Sequence, residues 1–310
     1  MASPDQMKDG IRKERCWDCV VVGAGPAGLT AAVYLARYLR LVLVLHDGES
    51  RAALIPTSHN IPGYSGGISG QQLLSDLSRQ ASRYGAAIER ANVSQIDKDG
   101  DAFILRTASG ALRASRVILA TGVVDISPDI PGLHGSIFDG QIRYCPICDG
   151  YEAADKRIAV LGPLPHAIRK AEFLRTYSRL LTVITSQEPS REEIERVDDP
   201  SIHVECSGVR DIQGGKEMKV TFMSGKIQAF DIIYIAMGCS VRSDLGVALG
   251  ASVDQAGALK VDAQQETSVK GLYAVGDVVS CLDQISVGTG HAAIAATAVH
   301  NSLPRNWRAG

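Results

Sequence analysis

Residues 19–45, CVVVGAGPAGLTAAVYLARYLRLVLVL, read as an apolar strand, a glycine turn, an amphipathic helix and a second apolar strand. Residues 158–184, IAVLGPLPHAIRKAEFLRTYSRLLTVI, repeat that plan without a gap, so that Gly23 matches Gly162 and Leu41–Leu45 matches Leu180–Ile184. A later strand echoes each copy, RVILATG at 116–122 and IIYIAMG at 232–238. A chain that writes a β-α-β unit and its completing strand twice is an α/β protein. It is expected to form two doubly wound nucleotide-binding domains of three-layer type. The segment TSVKGLYAVGD at 267–277 has no counterpart in the repeat and is expected to return to the first domain. The second domain is then inserted in the first, with residues 1–124 and 256–310 outside and 125–255 between them.

Composition narrows the class. The 310 residues suffice for two domains, and 45% hydrophobic with 21% charged residues excludes a disordered chain. A net charge of −2 lacks the basic surplus of a nucleic-acid binder. Residues 19–45 imitate a membrane span in hydropathy, but Arg37 and Arg40 lie inside the stretch and its glycines cluster at one end. The polar N-terminus MASPDQMKDGIRKERC has no apolar signal region, and seven cysteines form no dense scaffold. A cytoplasmic protein that binds no membrane is expected, with most of its cysteines in the core.

Gly23-Ala24-Gly25-Pro26-Ala27-Gly28 is a GxGxxG between strand and helix. The first glycine permits the turn, the second lets backbone N–H groups reach a pyrophosphate, and the third lets helix and strand pack closely. An acid for the ribose is expected at the end of the next strand, where His46 stands with Asp47 beside it. Either residue is a candidate for the ribose hydroxyls.

Cys145-Pro146-Ile147-Cys148 has the spacing of a redox dithiol, and Pro146 suits the first turn of a short helix that would lower a thiol pKa. Buried or metal-binding thiols are the other reading. The second pair, Cys16 and Cys19, begins a buried strand, and its distance along the chain from Cys145 argues against a shared zinc site. No metal is expected, and Cys206, Cys239 and Cys281 are expected to be packing residues.

GAGPAGLTAA, the ATG at 120–122, CPICDG at 145–150 and TSVKGLYAVGD occur in an order that resembles the low-molecular-weight thioredoxin reductases, over nearly the whole chain. The resemblance implies FAD in the outer domain. Gly23, Gly25, Pro26, Ala27 and Gly28 would hold the pyrophosphate, Val93 would meet the adenine, and Thr121 and Gly122 would line the cofactor. Asn60 would lie near the isoalloxazine, Asp277 after Gly276 near the ribityl chain, and Gln284 and Ile285 at the pyrimidine edge. A helix opening at 288–290 would point its positive end at the flavin. By the same resemblance Cys148 faces flavin, Cys145 exchanges with substrate, and Asp149 moves the proton. A homodimer and a thioredoxin-like protein or small dithiol as substrate are implied as well.

The second turn departs from the family. It reads Gly162-Pro163-Leu164-Pro165-His166-Ala167, with Leu164 in place of the central glycine and two prolines lacking N–H donors. Its side chain is expected to obstruct a pyrophosphate. The positions of the family's basic cluster for the NADPH 2′-phosphate read Thr185-Ser186-Gln187, with Arg191 further on. Arg169, Lys170 and Arg175 are expected to be surface charges. The resulting expectation is an FAD-dependent disulfide oxidoreductase that works without NADPH, with a second FAD in the former NADPH site. The alternatives are a ferredoxin-dependent thioredoxin reductase, oxygen as electron acceptor, or a flavin redox sensor without turnover.

Overall fold

The computed structural model of the chain describes residues 16–48, 50–133, 140–195, 197, 199–279 and 282–308. In chain order the elements begin with β1 (Cys16–Val22), α1 (Pro26–Arg37), β2 (Val42–His46), α2 (Gly70–Arg83), β3 (Ala87–Arg90), β4 (Val93–Asp99), β5 (Ala102–Thr107), β6 (Gly110–Leu119) and β7 (Val123–Asp125). There follow β8 (Ile142–Arg143), α3 (Pro146–Asp149), β9 (Ile158–Gly162), α4 (Leu164–Leu174), β10 (Leu181–Thr185), α5 (Arg191–Glu195) and β11 (His203–Glu205). The rest are β12 (Val209–Gln213), β13 (Met218–Phe222), β14 (Ile227–Phe230), β15 (Ile232–Ile235), β16 (Cys239–Val241), α6 (Asp244–Ala248), β17 (Leu272–Ala274) and α7 (Ile285–Ser302).

Packing divides these into two compact units, residues 1–53, 70–124 and 241–310 in one, and 54–69 with 125–240 in the other. The first unit carries a seven-stranded sheet in the order β3-β2-β1-β6-β5-β4, with β17 also joined to β6. Its β1, β2, β3 and β17 run parallel, and β17 pairs Leu272 with Val117 through Ala274 with Leu119, so the 267–277 segment does return to the first sheet. Both faces of β1 are covered. Cys19 and Val21 join the α1 and α7 side, while Val20 and Val22 join the opposite cluster with Leu43 and Leu45. Burial on two sides is why this strand reads as an unbroken apolar run rather than an alternation. On α1, Ala32, Leu35 and Ala36 recur at helical spacing, and they join the cluster that holds the small residues Ala292, Ala295 and Ala296 of α7.

The second unit repeats the architecture with a five-stranded sheet in the order β11-β10-β9-β15-β8 and a three-stranded sheet β12-β13-β14. The repeat holds in atomic detail. A Cβ added at Gly23 would lie 2.2 Å from Ala120 O, and one at Gly162 would lie 2.5 Å from Ala236 O. Each first glycine is therefore pressed against the end of its own completing strand.

Segment 241–255 packs with the first unit, whereas the sequence reading began the return at 256. Leu245 and Leu249 on and after α6 join the cluster of Leu119 and Leu259, and this contact cannot be read from the local pattern. The cysteine expectation is corrected in part. Cys19 is fully buried, and burial beside Asp18 pushes its thiol well up. Cys206, in the loop between β11 and β12, and Cys239, opening β16, are exposed, because neither lies on a strand covered on both faces. Cys281 lies outside the described residues. No helix among the described residues is long and apolar enough to cross a membrane.

Candidate active site

At the C-terminal end of β1 the chain turns through Gly23, with φ of +112°, into α1. A Cβ on Gly28 would stand 2.0 Å from Gly23 O, so the third glycine is a packing requirement. Gly25 differs, because an added Cβ would meet only Ser50 Oγ, at 3.6 Å. It opens onto space that the protein does not fill. Gly25 is the N-cap of α1 and Pro26 its first residue, and the N–H groups of Gly25, Ala27 and Gly28 have no acceptor among the described residues. Unpaired donors at the positive end of a helix dipole make an anion cradle. Gly276 and Gly288 close on the same turn, and a Cβ on either would lie 3.0 or 3.3 Å from Ala27 Cβ. Gln284 caps α7 and Ile285 begins it, which places both beside that junction. These residues fit the pyrophosphate of a dinucleotide.

Around the cradle the expected residues carry specific partners. Asp277 Oδ2 accepts from Arg51 Nη1 at 3.1 Å, and Asp283 lies 3.5 Å from the same nitrogen. Thr121 Oγ1 donates to Arg242 O at 2.6 Å, and Arg242 N donates to Gly122 O. Asp47 takes an ion pair from Arg242 at 3.1 Å, while its carbonyl accepts from Arg90. His46 ends β2, and burial holds its imidazole below the usual range. Val93 is buried at the start of β4. Arg51, Arg90 and Arg242 were not anticipated, since isolated arginines in loops and strand ends carry no motif.

In the second unit Cys145 and Cys148 form a disulfide. Cys145 is the N-cap of α3, Pro146 its first residue, and Cys148 N donates to Cys145 Sγ at 3.2 Å. Asn60 belongs to this unit. It donates to Ile147 O at 3.4 Å and accepts from Ser58, so the structure sets it beside the dithiol. Asp149, the last residue of α3, is half-buried. Burial raises its carboxyl above the usual range, against a lowering by Arg143 and by the Tyr234 hydroxyl, which donates to Oδ1 at 2.7 Å. Tyr234 is fully buried in the middle of β15.

Two expectations about the second turn change. Leu164 is 3% exposed and packs with Ala167, Ala171 and Leu174. As the first residue of α4 it turns under the helix into the core, so its side chain does not obstruct the turn. The loss lies in the donors instead. Pro163 caps α4, Pro165 follows, and His166 N is spent on Pro163 O, which leaves Leu164 N as the first-turn donor without an acceptor among the described residues. Lys170 is not a free surface charge, since its Nζ donates to Tyr144 O at 2.6 Å and Ile235 O at 2.7 Å. Arg175 pairs with Asp199, Arg169 donates to Pro165 O, and Arg191 is turned to Glu195.

A dinucleotide cradle in one unit and a helix-borne disulfide in the other define a flavin-type disulfide oxidoreductase. The chain belongs to the pyridine nucleotide-disulphide oxidoreductase family, whose model matches residues 17–299. Among its relatives it is thioredoxin reductase-like. It is 32% identical over 303 residues to the thioredoxin reductase of Treponema pallidum, covering 92% of this chain and 96% of the other. The thioredoxin reductase structure from Streptococcus pyogenes superposes with a TM-score of 0.84 at 26% identity, covering 92% of this chain and 97% of the other. The structure of HlmI superposes with a TM-score of 0.86 at 30% identity, covering 93% of this chain and 92% of the other.

Proposed function

We propose that the protein is an FAD-dependent disulfide oxidoreductase in which Cys145 and Cys148 exchange two electrons with flavin, and that NADPH is not its electron partner. Bound FAD supplies the two-electron acceptor or donor for the dithiol. The chain's own residues do the rest. Gly25, Ala27 and Gly28 bind the pyrophosphate, Asp47 or His46 the adenosine ribose, and Asp277, Gln284 and Ile285 the flavin half. Cys145 meets the substrate, a thioredoxin-like protein or a small dithiol. Cys148 faces the flavin, and Asp149 carries the proton of the leaving thiol.

The observation that carries the NADPH statement is the first turn of α4. The equivalent turn of α1 offers three unpaired N–H groups, those of Gly25, Ala27 and Gly28, whereas α4 offers that of Leu164. A pyrophosphate held by one donor forfeits most of the helix-terminus grip. The 2′-phosphate is equally unprovided for, since Gln187 is uncharged and Arg191 pairs with Glu195. The same deficit weighs against a second FAD, whose pyrophosphate needs the same donors. The proposal is therefore one FAD per chain, with ferredoxin or oxygen as the class of electron partner on the far side of the flavin.

Flavin released by denaturing the purified holoprotein, divided by polypeptide, tests the cofactor assignment. One equivalent is expected. Two equivalents would restore a second site in the α4 unit, and none would remove the flavin reading altogether.

A further inference from the structure

Asp149 does not stand alone at the dithiol. Tyr234 reaches it from the centre of β15 and Arg143 from β8. The Tyr234 oxygen lies 2.7 Å from Asp149 Oδ1. Arg143 Nη1 donates to Asp149 O at 2.7 Å and lies 3.5 Å from the Tyr234 oxygen, and Arg143 Nε donates to Gly140 O at 2.9 Å. A guanidinium has no acceptor. The phenol therefore turns a lone pair toward Arg143 and its single hydrogen toward Asp149, whose Oδ1 at 2.7 Å is the nearer acceptor and whose main-chain oxygen lies at 3.2 Å. Burial beside Asp149 pushes the phenol far above its ordinary range, so it remains a donor at any working pH. In the first copy of the repeat the matching position is Ile118, an aliphatic core residue. A hydroxyl placed inside an otherwise apolar strand is costly unless paired, and here its partner is the Asp149 carboxyl.

We propose that Tyr234 is a positioning residue for proton transfer at the dithiol: by bonding Asp149 Oδ1, with Arg143 Nη1 on the Asp149 main-chain oxygen and Arg143 Nε 3.8 Å from Oδ2, it fixes the carboxylate that serves the leaving thiol. This rests on the reading of Asp149 as the proton carrier. In the step concerned, a substrate thiolate attacks Cys145 Sγ, and the Cys145–Cys148 bond breaks with its electron pair on Cys148. The substrate's second thiol then closes on its first sulfur and releases Cys145. The substrate leaves as a disulfide, and two electrons and two protons remain on the cysteine pair. Asp149 carries one of those protons between sulfurs. The charges around the carboxyl are Arg143 on β8 and Lys170 on α4, which favour its ionised form, and Glu152 after α3, which opposes it. Among the described residues, the charged groups that act on Tyr234 are Asp149 and Arg143.

The test is the pH dependence of anaerobic flavin reduction in the holoenzyme by dithiothreitol, followed by flavin absorbance. Asp149→Asn should slow the reaction and abolish its carboxylate limb. Tyr234→Phe keeps the ring and removes the donor, so the limb should move to higher pH by about one unit, the equivalent of one hydrogen bond to an ionised group. Added to Asp149→Asn, the Phe substitution should change nothing further. Should the Phe protein not fold, Arg143→Gln should shift the limb in the same direction. An unmoved limb in Tyr234→Phe with Asp149→Asn still slowed overturns the positioning role alone. An equal loss from Tyr234→Phe in the Asn background overturns it too, as a merely structural effect. Unchanged kinetics in Asp149→Asn overturns the proton-carrier reading itself.

Discussion

Cys148→Ser is expected to retain its flavin and its melting behaviour while losing dithiol-driven flavin reduction by about a thousandfold or more. The size of the effect follows from geometry. Cys148 lies on the four-residue helix that Cys145 caps, and Cys148 N already donates to Cys145 Sγ, so the two sulfurs are held for intramolecular exchange. Removing one leaves a mixed disulfide with no neighbour to resolve it. Neither cysteine belongs to a hydrophobic cluster, so the fold loses no packing with the sulfur. Stopped-flow absorbance with dithiothreitol under anaerobic conditions measures the loss. A Ser variant that still passes electrons from dithiol to flavin at the native rate would show that the pair is structural.

The second large effect separates the two roles of glycine at the α1 turn. Gly28→Ala forces a Cβ to within 2.0 Å of Gly23 O, and backbone on both sides cannot yield. A cost of about 3 kcal/mol or more is expected, visible as a lowered denaturation midpoint with or without flavin. Gly25→Ala, by contrast, has room, with Ser50 Oγ at 3.6 Å its nearest neighbour. Its apoprotein should melt like the native apoprotein, yet its flavin affinity should fall by about a hundredfold, because the methyl stands where the pyrophosphate approaches Gly25, Ala27 and Gly28 N–H. Equilibrium dialysis with FAD against each variant measures this. Equal FAD affinity in Gly25→Ala and the native protein would place the nucleotide elsewhere.

Much of this was legible in the chain itself, because the signals are local. The strand-turn-helix of 19–45 and its copy at 158–184 set both central sheets, and β6 and β15 fall where the two echoes lie. The dithiol, its short helix and Pro146 at the first turn follow from five consecutive residues. What escaped is long-range. The direction in which Leu164 points depends on Ala167 and Ala171 beneath it, and a pattern of letters does not separate a residue blocking a ligand from one filling a core. Tyr234 meets Asp149 across 85 residues of sequence, although an oxygen-bearing residue in IIYIAMG, where RVILATG has none at the matching place, was a usable signal. Lys170 reads as surface charge in the sequence because no sequence rule reveals the two main-chain carbonyls, Tyr144 O and Ile235 O, that accept from its ammonium. The exposure of Cys206 and Cys239 has the same origin, since they sit in a loop and at the start of the β16 ribbon rather than under a helix.

The central claim is that the second nucleotide fold keeps its β-α-β frame while the first turn of α4 no longer grips a phosphorylated dinucleotide. Anaerobic mixing of the oxidised holoenzyme with excess NADPH, followed through the flavin absorbance band, tests it most directly. The flavin is expected to remain oxidised over minutes and then to bleach when dithiothreitol is added to the same cell. Bleaching by NADPH on the timescale of turnover, before any dithiol is present, would contradict the claim.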